Sequence, residues 1–176
     1  VNYTANDDSL TISYVDDERG QAQVGDAITK TGKTGGTGSY TVVVPDGYVL
    51  VTPQKDVQDN KVNYTFTPGN DNKLIHLTHK TTDSTLRTTR TIVYTVDGSK
   101  TGAPQAVTQP AVTLNITTDE ATGLITKATP QGSFAEVTTP SKPGYTPDKA
   151  TVPAETTPKL TLVSGSPVNE TVFVNY

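Results

Sequence analysis

The chain has 176 residues, with 14 lysines and arginines against 18 aspartates and glutamates, a net charge of −4 and 32% apolar residues. It contains no cysteine, which excludes disulfides, thiolate metal sites and cysteine nucleophiles. The weakly acidic balance provides no basic face for phosphates, so we expect no nucleic-acid partner. No apolar run reaches the roughly 18–20 residues that a membrane span needs. The 34 threonines and 20 valines favour strands, because β-branched side chains suit a pleated sheet.

Apolar residues recur at every second position in several short segments, as in Leu10, Ile12 and Tyr14. This alternation is typical of strands with one face on a core and one face in water. The segments, in chain order, are 10–14, 40–44, 62–66, 92–96, 112–116, 160–162 and 172–176. No long window has a helical period, so we expect only short or minimal helices, near 57–60 or 133–137. The sequence therefore predicts a mainly β (α+β) protein.

Three landmarks recur in the same order in the two halves of the chain. Residues 9–16 resemble 90–97, each an alternating strand that runs into an aspartate-led turn, and Pro-Asp-Gly-Tyr at 45–48 matches Lys-Pro-Gly-Tyr at 142–145. Residues 64–77 resemble 160–173, and each stretch is interpreted as a closing hairpin. The order predicts two diverged modules, at 1–80 and 81–176, with a seam in the polar run 79–84.

A further repetition links the two ends of the chain. It begins Val1-Asn2-Tyr3 and ends Val174-Asn175-Tyr176. Residue 1 opens directly on a strand-like segment without a signal peptide, so we expect a fragment of a longer tandem array. Neighbouring repeats of the same chain are then its natural partners.

The chemistry expected of an enzyme is missing from the sequence. His76 and His79 are the only histidines, and three positions apart on a strand they point to opposite faces, so we interpret both as exposed residues at a strand's end. There is no Gly-x-Ser-x-Gly elbow, and two thin β modules give little basis for a cleft between paired carboxylates. We predict no enzyme activity, no catalytic residue and no required cofactor.

Two sets of residues remain as candidate ligand sites. Asn6, Asp7, Asp8 and Asp71 offer hard oxygen ligands that Ca²⁺ accepts, although turn chemistry alone also explains them. Tyr48 and Tyr145 follow the two matching turns, and each could either stack on a sugar ring or pin its turn to the core.

The landmarks together resemble the mucus-binding (Mub, MucBP-type) repeats of adhesins from lactobacilli and related Gram-positive bacteria. The residues that carry the resemblance are 12–17, 45–50 and 64–66 in the first half and 89–94, 96–98, 142–145 and 172–176 in the second. Each motif is common by itself, and their order on a threonine-rich background makes the match specific over essentially the whole chain.

The resemblance implies two sequential β-grasp (ubiquitin-like) modules in an elongated, extracellular fibre anchored to the cell wall. It implies binding to host mucin glycoproteins, weak per repeat and strengthened by tandem avidity. It also likens the second module to immunoglobulin-binding domains, so edge-strand recognition of immunoglobulins is an alternative. A passive spacer in the surface fibre is the third interpretation.

Overall fold

The computed structural model describes residues 1–69, 72–163, 166–167 and 169–176. These residues form strands and a single turn of 3₁₀ helix at Asp17–Arg19, so the prediction of a mainly β protein is confirmed. The strands are β1 (Asp7–Asp16), β2 (Ala22–Lys33), β3 (Thr37–Thr41), β4 (Tyr48–Leu50), β5 (Lys61–Thr65), β6 (Lys73–His79), β7 (Thr81–Thr88), β8 (Arg90–Thr95), β9 (Val107–Thr108), β10 (Val112–Asp119), β11 (Ile125–Pro130), β12 (Val137–Thr138), β13 (Thr151–Val152), β14 (Leu162–Val163), β15 (Ser166–Pro167) and β16 (Glu170–Asn175).

The chain divides into two compact units, each with its own core. The first unit comprises Val1–Thr81 together with the segment Asp119–Leu124, and the second comprises Thr82–Thr118 and Ile125–Tyr176. The segment 119–124 thus belongs by its contacts to the first unit, although it lies in the second half of the sequence.

The first unit contains a four-stranded sheet in the order β2-β1-β6-β4. β1 and β2 form an antiparallel pair, while β1 and β6 run parallel, with Ile12 opposite Lys73 and Asp16 opposite Leu77. A second, two-stranded sheet pairs β3 with β5. Alternating residues of both sheets form the core, in which Ile12, Val62 and Ile75 are fully buried.

The second unit repeats the parallel pairing of an early strand with a late one. β16 runs parallel to β8 in the sheet β16-β8-β9, with Arg90 opposite Glu170 and Thr95 opposite Asn175. A separate sheet has the order β11-β10-β7, and β12 pairs with β13 in a short antiparallel ladder. Ile92, Tyr94 and Val174 are at the centre of this core.

Two local predictions are wrong. Neither 57–60 nor 133–137 is helical, since both stretches contain turns, isolated bridges or strand. The stretch 64–77 is not a hairpin either, because β5 pairs with β3 and β6 pairs with β1 and β4. The sequence pattern suggested that the two strands in 64–77 pair with each other. In the structure each of them forms its ladder hydrogen bonds with other strands instead. The described residues contain no α-helix, and the β-grasp topology stays a prediction.

Candidate functional site

The most strongly polar buried site of the first unit is built around His79, the last residue of β6. Ile75 and Leu77 on the same strand are fully buried, and the alternation of side chains carries His79 onto their face. The His79 side chain is only 6% exposed, so the prediction of an exposed histidine is wrong. His76 lies on the opposite face and pairs with Asp17 at 2.6 Å.

Both ring nitrogens of His79 contact a carboxylate. Nδ1 lies 2.6 Å from Asp119 Oδ2, and Nε2 lies 2.9 Å from Asp16 Oδ2. The Tyr48 ring meets the imidazole edge to face, with 5.5 Å between the ring centroids. Asp16 and Asp119 are themselves 1% and 8% exposed, so the three side chains form a buried acid–histidine–acid cluster.

The chain around the cluster is held by backbone hydrogen bonds to its carboxylates. Asp16 caps the 3₁₀ helix by accepting a hydrogen bond from the amide of Glu18. Glu18 in turn accepts from the His79 amide at 2.9 Å and from the Thr78 hydroxyl. Asp119 accepts from the amides of Ala121 and Thr122, at 2.9 and 3.1 Å, which fixes the turn of the segment 119–124.

The contacts shift the pKa of each of these groups so that its charged form is favoured. The hydrogen bonds to Asp16 and Asp119 raise the pKa of His79 above its usual value, against the opposing effect of burial. Burial alone raises the pKa of Asp16 and of Asp119, but their hydrogen bonds, led by the bond with His79, bring each pKa below its usual value. The Thr78 hydroxyl and the His79 amide lower the pKa of Glu18.

This arrangement suits a structural role. With both ring nitrogens engaged, His79 has no free lone pair to act as a general base or a metal ligand. The imidazole between two carboxylates instead ties together three segments of the first unit, namely the end of β1, the end of β6 and the segment 119–124. Sequence reasoning missed the cluster because its members are 40 and 63 residues apart.

The calcium candidates are held by local contacts. Asp7 pairs with Lys33 at 2.7 Å on the surface, and Asp8 accepts a hydrogen bond from the Ser9 amide. The Asn6 carbonyl accepts from the Thr34 amide at 3.0 Å. Asp71 lies outside the described residues. No group of three His, Cys, Asp or Glu side chains able to hold a metal ion occurs in the described part of the chain, and calcium binding stays a prediction.

The two candidate tyrosines have different surroundings and belong to different units. Tyr48 is half-buried and packs against the first core as well as against His79. Tyr145 is 46% exposed, and the Lys142 ammonium lies 4.9 Å from the centre of its ring. A sugar-stacking role for either tyrosine stays a prediction.

An open depression of about 510 Å³, lined mainly by polar residues, lies on the outer face of the sheet β11-β10-β7, within the second unit. Its lining includes Asp83 on β7, Asn115 and Thr117 on β10, and Lys127 and Thr129 on β11. The register places Asn115 opposite Thr129 and Thr117 opposite Lys127. The alternation of polar residues at 115 and 117 is visible in the sequence, whereas the partner strands that complete the surface are not.

Among the residues described, no helix has the length and apolar character needed to span a membrane.

The chain matches the sequence model of the Muc B2-like domain family at residues 79–175, which is more than half of its length. The chain therefore belongs to this family, and the resemblance to mucus-binding repeats is confirmed. It is a family of adhesion domains and not of enzymes. No curated protein matches the chain.

Several solved structures are similar to parts or all of the chain. A domain of an adhesion exoprotein from Pediococcus pentosaceus is 46% identical, with 43% of this chain and 91% of that chain covered and a TM-score of 0.39. The type 2 repeat of the mucus binding protein MUB from Lactobacillus reuteri is 19% identical, with 96% and 98% covered and a TM-score of 0.48. The mucin-binding domain of a Streptococcus pneumoniae protein is 27% identical, with 55% and 94% covered and a TM-score of 0.35.

Proposed function

We propose that this chain is an adhesion repeat that binds host mucin glycoproteins. The observation that carries the proposal is the family match over residues 79–175. The proposed setting is an extracellular one, in a surface protein anchored to the cell wall of a Gram-positive bacterium. Each repeat binds weakly, and tandem copies raise the effective concentration of the remaining sites once one site is engaged.

The described surface supports this proposal because it suits wet, polar contacts. The outward-facing residues of β2, β7 and β11 are mostly exposed, and threonine and lysine are frequent among them. Glycans present hydroxyl groups that both donate and accept hydrogen bonds, so polar strand faces can exchange water for sugar hydroxyls at little cost.

A second candidate function is recognition of immunoglobulins by strand addition. The observation that favours it is β2, a twelve-residue strand at the outer edge of its sheet. β1 pairs with one side of β2, and no other described strand pairs with the other side. An edge of this kind can accept a strand of another protein through backbone hydrogen bonds.

A binding panel tests both functions. The single chain and a tandem dimer of it are applied to immobilised mucin, to mucin after periodate oxidation of the glycans, and to purified immunoglobulin. We expect binding to native mucin that increases strongly in the dimer and decreases after oxidation. Binding to immunoglobulin that survives removal of its glycans would support the second function instead. Absence of binding to either ligand, also by the dimer, would overturn both and leave a spacer.

A further inference from the structure

We propose that the depression on the outer face of the sheet β11-β10-β7 is the binding groove for a neutral, hydroxyl-rich saccharide. The inference rests on the proposed mucin-binding function and assigns it to a place on the second unit.

The strand geometry gathers polar side chains on this face. Leu114 and Ile116 of β10 are 1% and 6% exposed and face the core, so Asn115 and Thr117 between them face outward. Directly opposite residues on antiparallel strands have their Cβ atoms about 4.5–5.5 Å apart. Asn115 with Thr129 and Thr117 with Lys127 therefore form two adjacent polar pairs on one surface.

The groove offers both donors and acceptors. The Lys127 ammonium has three donors, and no carboxylate of the described residues is in ion-pair distance of it. Asp83 accepts a hydrogen bond from the Thr117 hydroxyl at 2.6 Å, which orients its carboxylate and leaves the other oxygen available as an acceptor. The side-chain amide of Asn115, which also lines the groove, provides both a donor and an acceptor.

This chemistry matches a neutral sugar better than other occupants. The lining contains one acidic and one basic side chain, so it carries no net charge that would attract a polyanion. It contains no aromatic residue, and its one large apolar residue, Ile116, is 6% exposed and faces the core, so the groove offers no anchor point for an apolar peptide.

The test compares two double variants of the full chain. N115A/K127A removes one amide and one ammonium from the groove, and K100A/Q105A removes the same two groups from exposed positions elsewhere on the second unit. All four residues are exposed, so we expect both variants to keep the unfolding temperature of the parent chain. The probes are neutral oligosaccharides released from mucin, and the readout is the change in amide NMR signals during titration.

We expect the parent chain and K100A/Q105A to bind equally, with signal changes concentrated at residues of β7, β10 and β11. N115A/K127A should lose about tenfold or more in affinity, since two hydrogen-bonding groups are removed. Equal binding by N115A/K127A would overturn the groove while leaving mucin binding intact. Binding of only acidic, sulfated or sialylated glycans would overturn the neutral ligand. Absence of mucin binding by the parent chain would overturn the proposed function and the groove together.

Discussion

Each unit buries a basic side chain next to its parallel strand pair, but the two side chains have different hydrogen-bond partners. In the first unit, His79 lies between the carboxylates of Asp16 and Asp119. In the second unit, Arg90 at the start of β8 is 3% exposed and donates its hydrogen bonds to neutral oxygens, while the Glu155 carboxylate lies 4.0 Å from its Nη1. Its acceptors are the Gln109 side chain at 2.7 Å and the carbonyls of Pro153 and Ala135 at 3.0 and 2.9 Å.

The difference teaches how pH acts on each unit. A guanidinium keeps its charge throughout the range in which proteins are stable, so the contacts of Arg90 do not depend on its protonation. The imidazole of His79 is titratable and has a pKa raised above its usual value, and its partners can also be protonated. We therefore expect the stability of the first unit to follow pH through this cluster, and that of the second unit to be independent of Arg90 titration.

The largest effect is expected from Arg90→Ala. The change removes the donor to Gln109 Oε1 and to the Pro153 carbonyl, and it removes the cation above the Phe134 ring, while the Ala135 carbonyl keeps its hydrogen bond from Gln109 Nε2. We expect the second unit to lose about 3 kcal/mol of unfolding free energy. Hydrogen exchange of the β8 amides measures the loss. Arg87→Ala, at an exposed position, is the matched control. A loss of similar size in the control would contradict the special role of Arg90.

A somewhat smaller effect is expected from His79→Ala. The buried carboxylates of Asp16 and Asp119 would then lose their shared hydrogen-bond partner. We expect this loss to lower the unfolding free energy of the first unit by about 2 kcal/mol. Exchange of the β1 amides reports this loss, and the β8 amides should stay unchanged. The control His76→Ala removes a half-exposed pair with Asp17 and should cost much less. Equal costs at positions 76 and 79 would refute the importance of the buried cluster.

Gly47→Ala tests how the segment 119–124 packs within the first unit. Gly47 has a φ of +83°, and a Cβ there would lie 2.9 Å from the Glu120 carbonyl oxygen. The backbone strain of an alanine at this φ and the close contact of its Cβ with Glu120 should together lower the unfolding free energy of the first unit by about 2 kcal/mol. Gly123→Ala has a similar φ of +71° with open space around it, so it should cost about 1 kcal/mol. Denaturant unfolding of both variants gives the difference, and its absence would show that the close approach carries no energy.

The smallest effect is the pH dependence itself. Because the pKa of His79 is raised, its stabilisation is complete below about 6.5, the usual value, and is lost as the pH rises through the folded-state pKa. The pKa values of Asp16, Glu18 and Asp119 are lowered, so their contribution is present above the usual values and is lost as the pH falls through the folded-state ones. The protection factors of the β1 amides, which are corrected for the pH dependence of intrinsic exchange, should therefore be largest between about pH 4.5 and 6.5.

His79→Gln provides the control for this profile. A glutamine keeps a polar side chain at position 79 without a titrating ring, so the decrease in stability on the alkaline side should disappear. A decrease that persists in His79→Gln would assign the pH dependence to another group.

Local pattern was enough to predict the strands but not their partners. The alternation at Leu10, Ile12 and Tyr14 identified β1 and its buried face, and all three side chains are less than 7% exposed. The same logic was wrong at 64–77, where two strands that follow each other in the chain belong to different sheets. The alternation of residues along a strand determines which of its faces is apolar. The strand with which it pairs is determined by packing between distant parts of the chain.

The sequence by itself determined the mainly β class, the family and the absence of cysteine chemistry, because composition, period and motif order are properties of the chain. Only the tertiary structure decided that His79 is buried, that residues 119–124 belong to the first unit, and that Asn115 and Lys127 share one surface. These features depend on contacts between residues that are far apart in sequence. No local pattern encodes such contacts, since they arise only when the sheets pair and the cores pack.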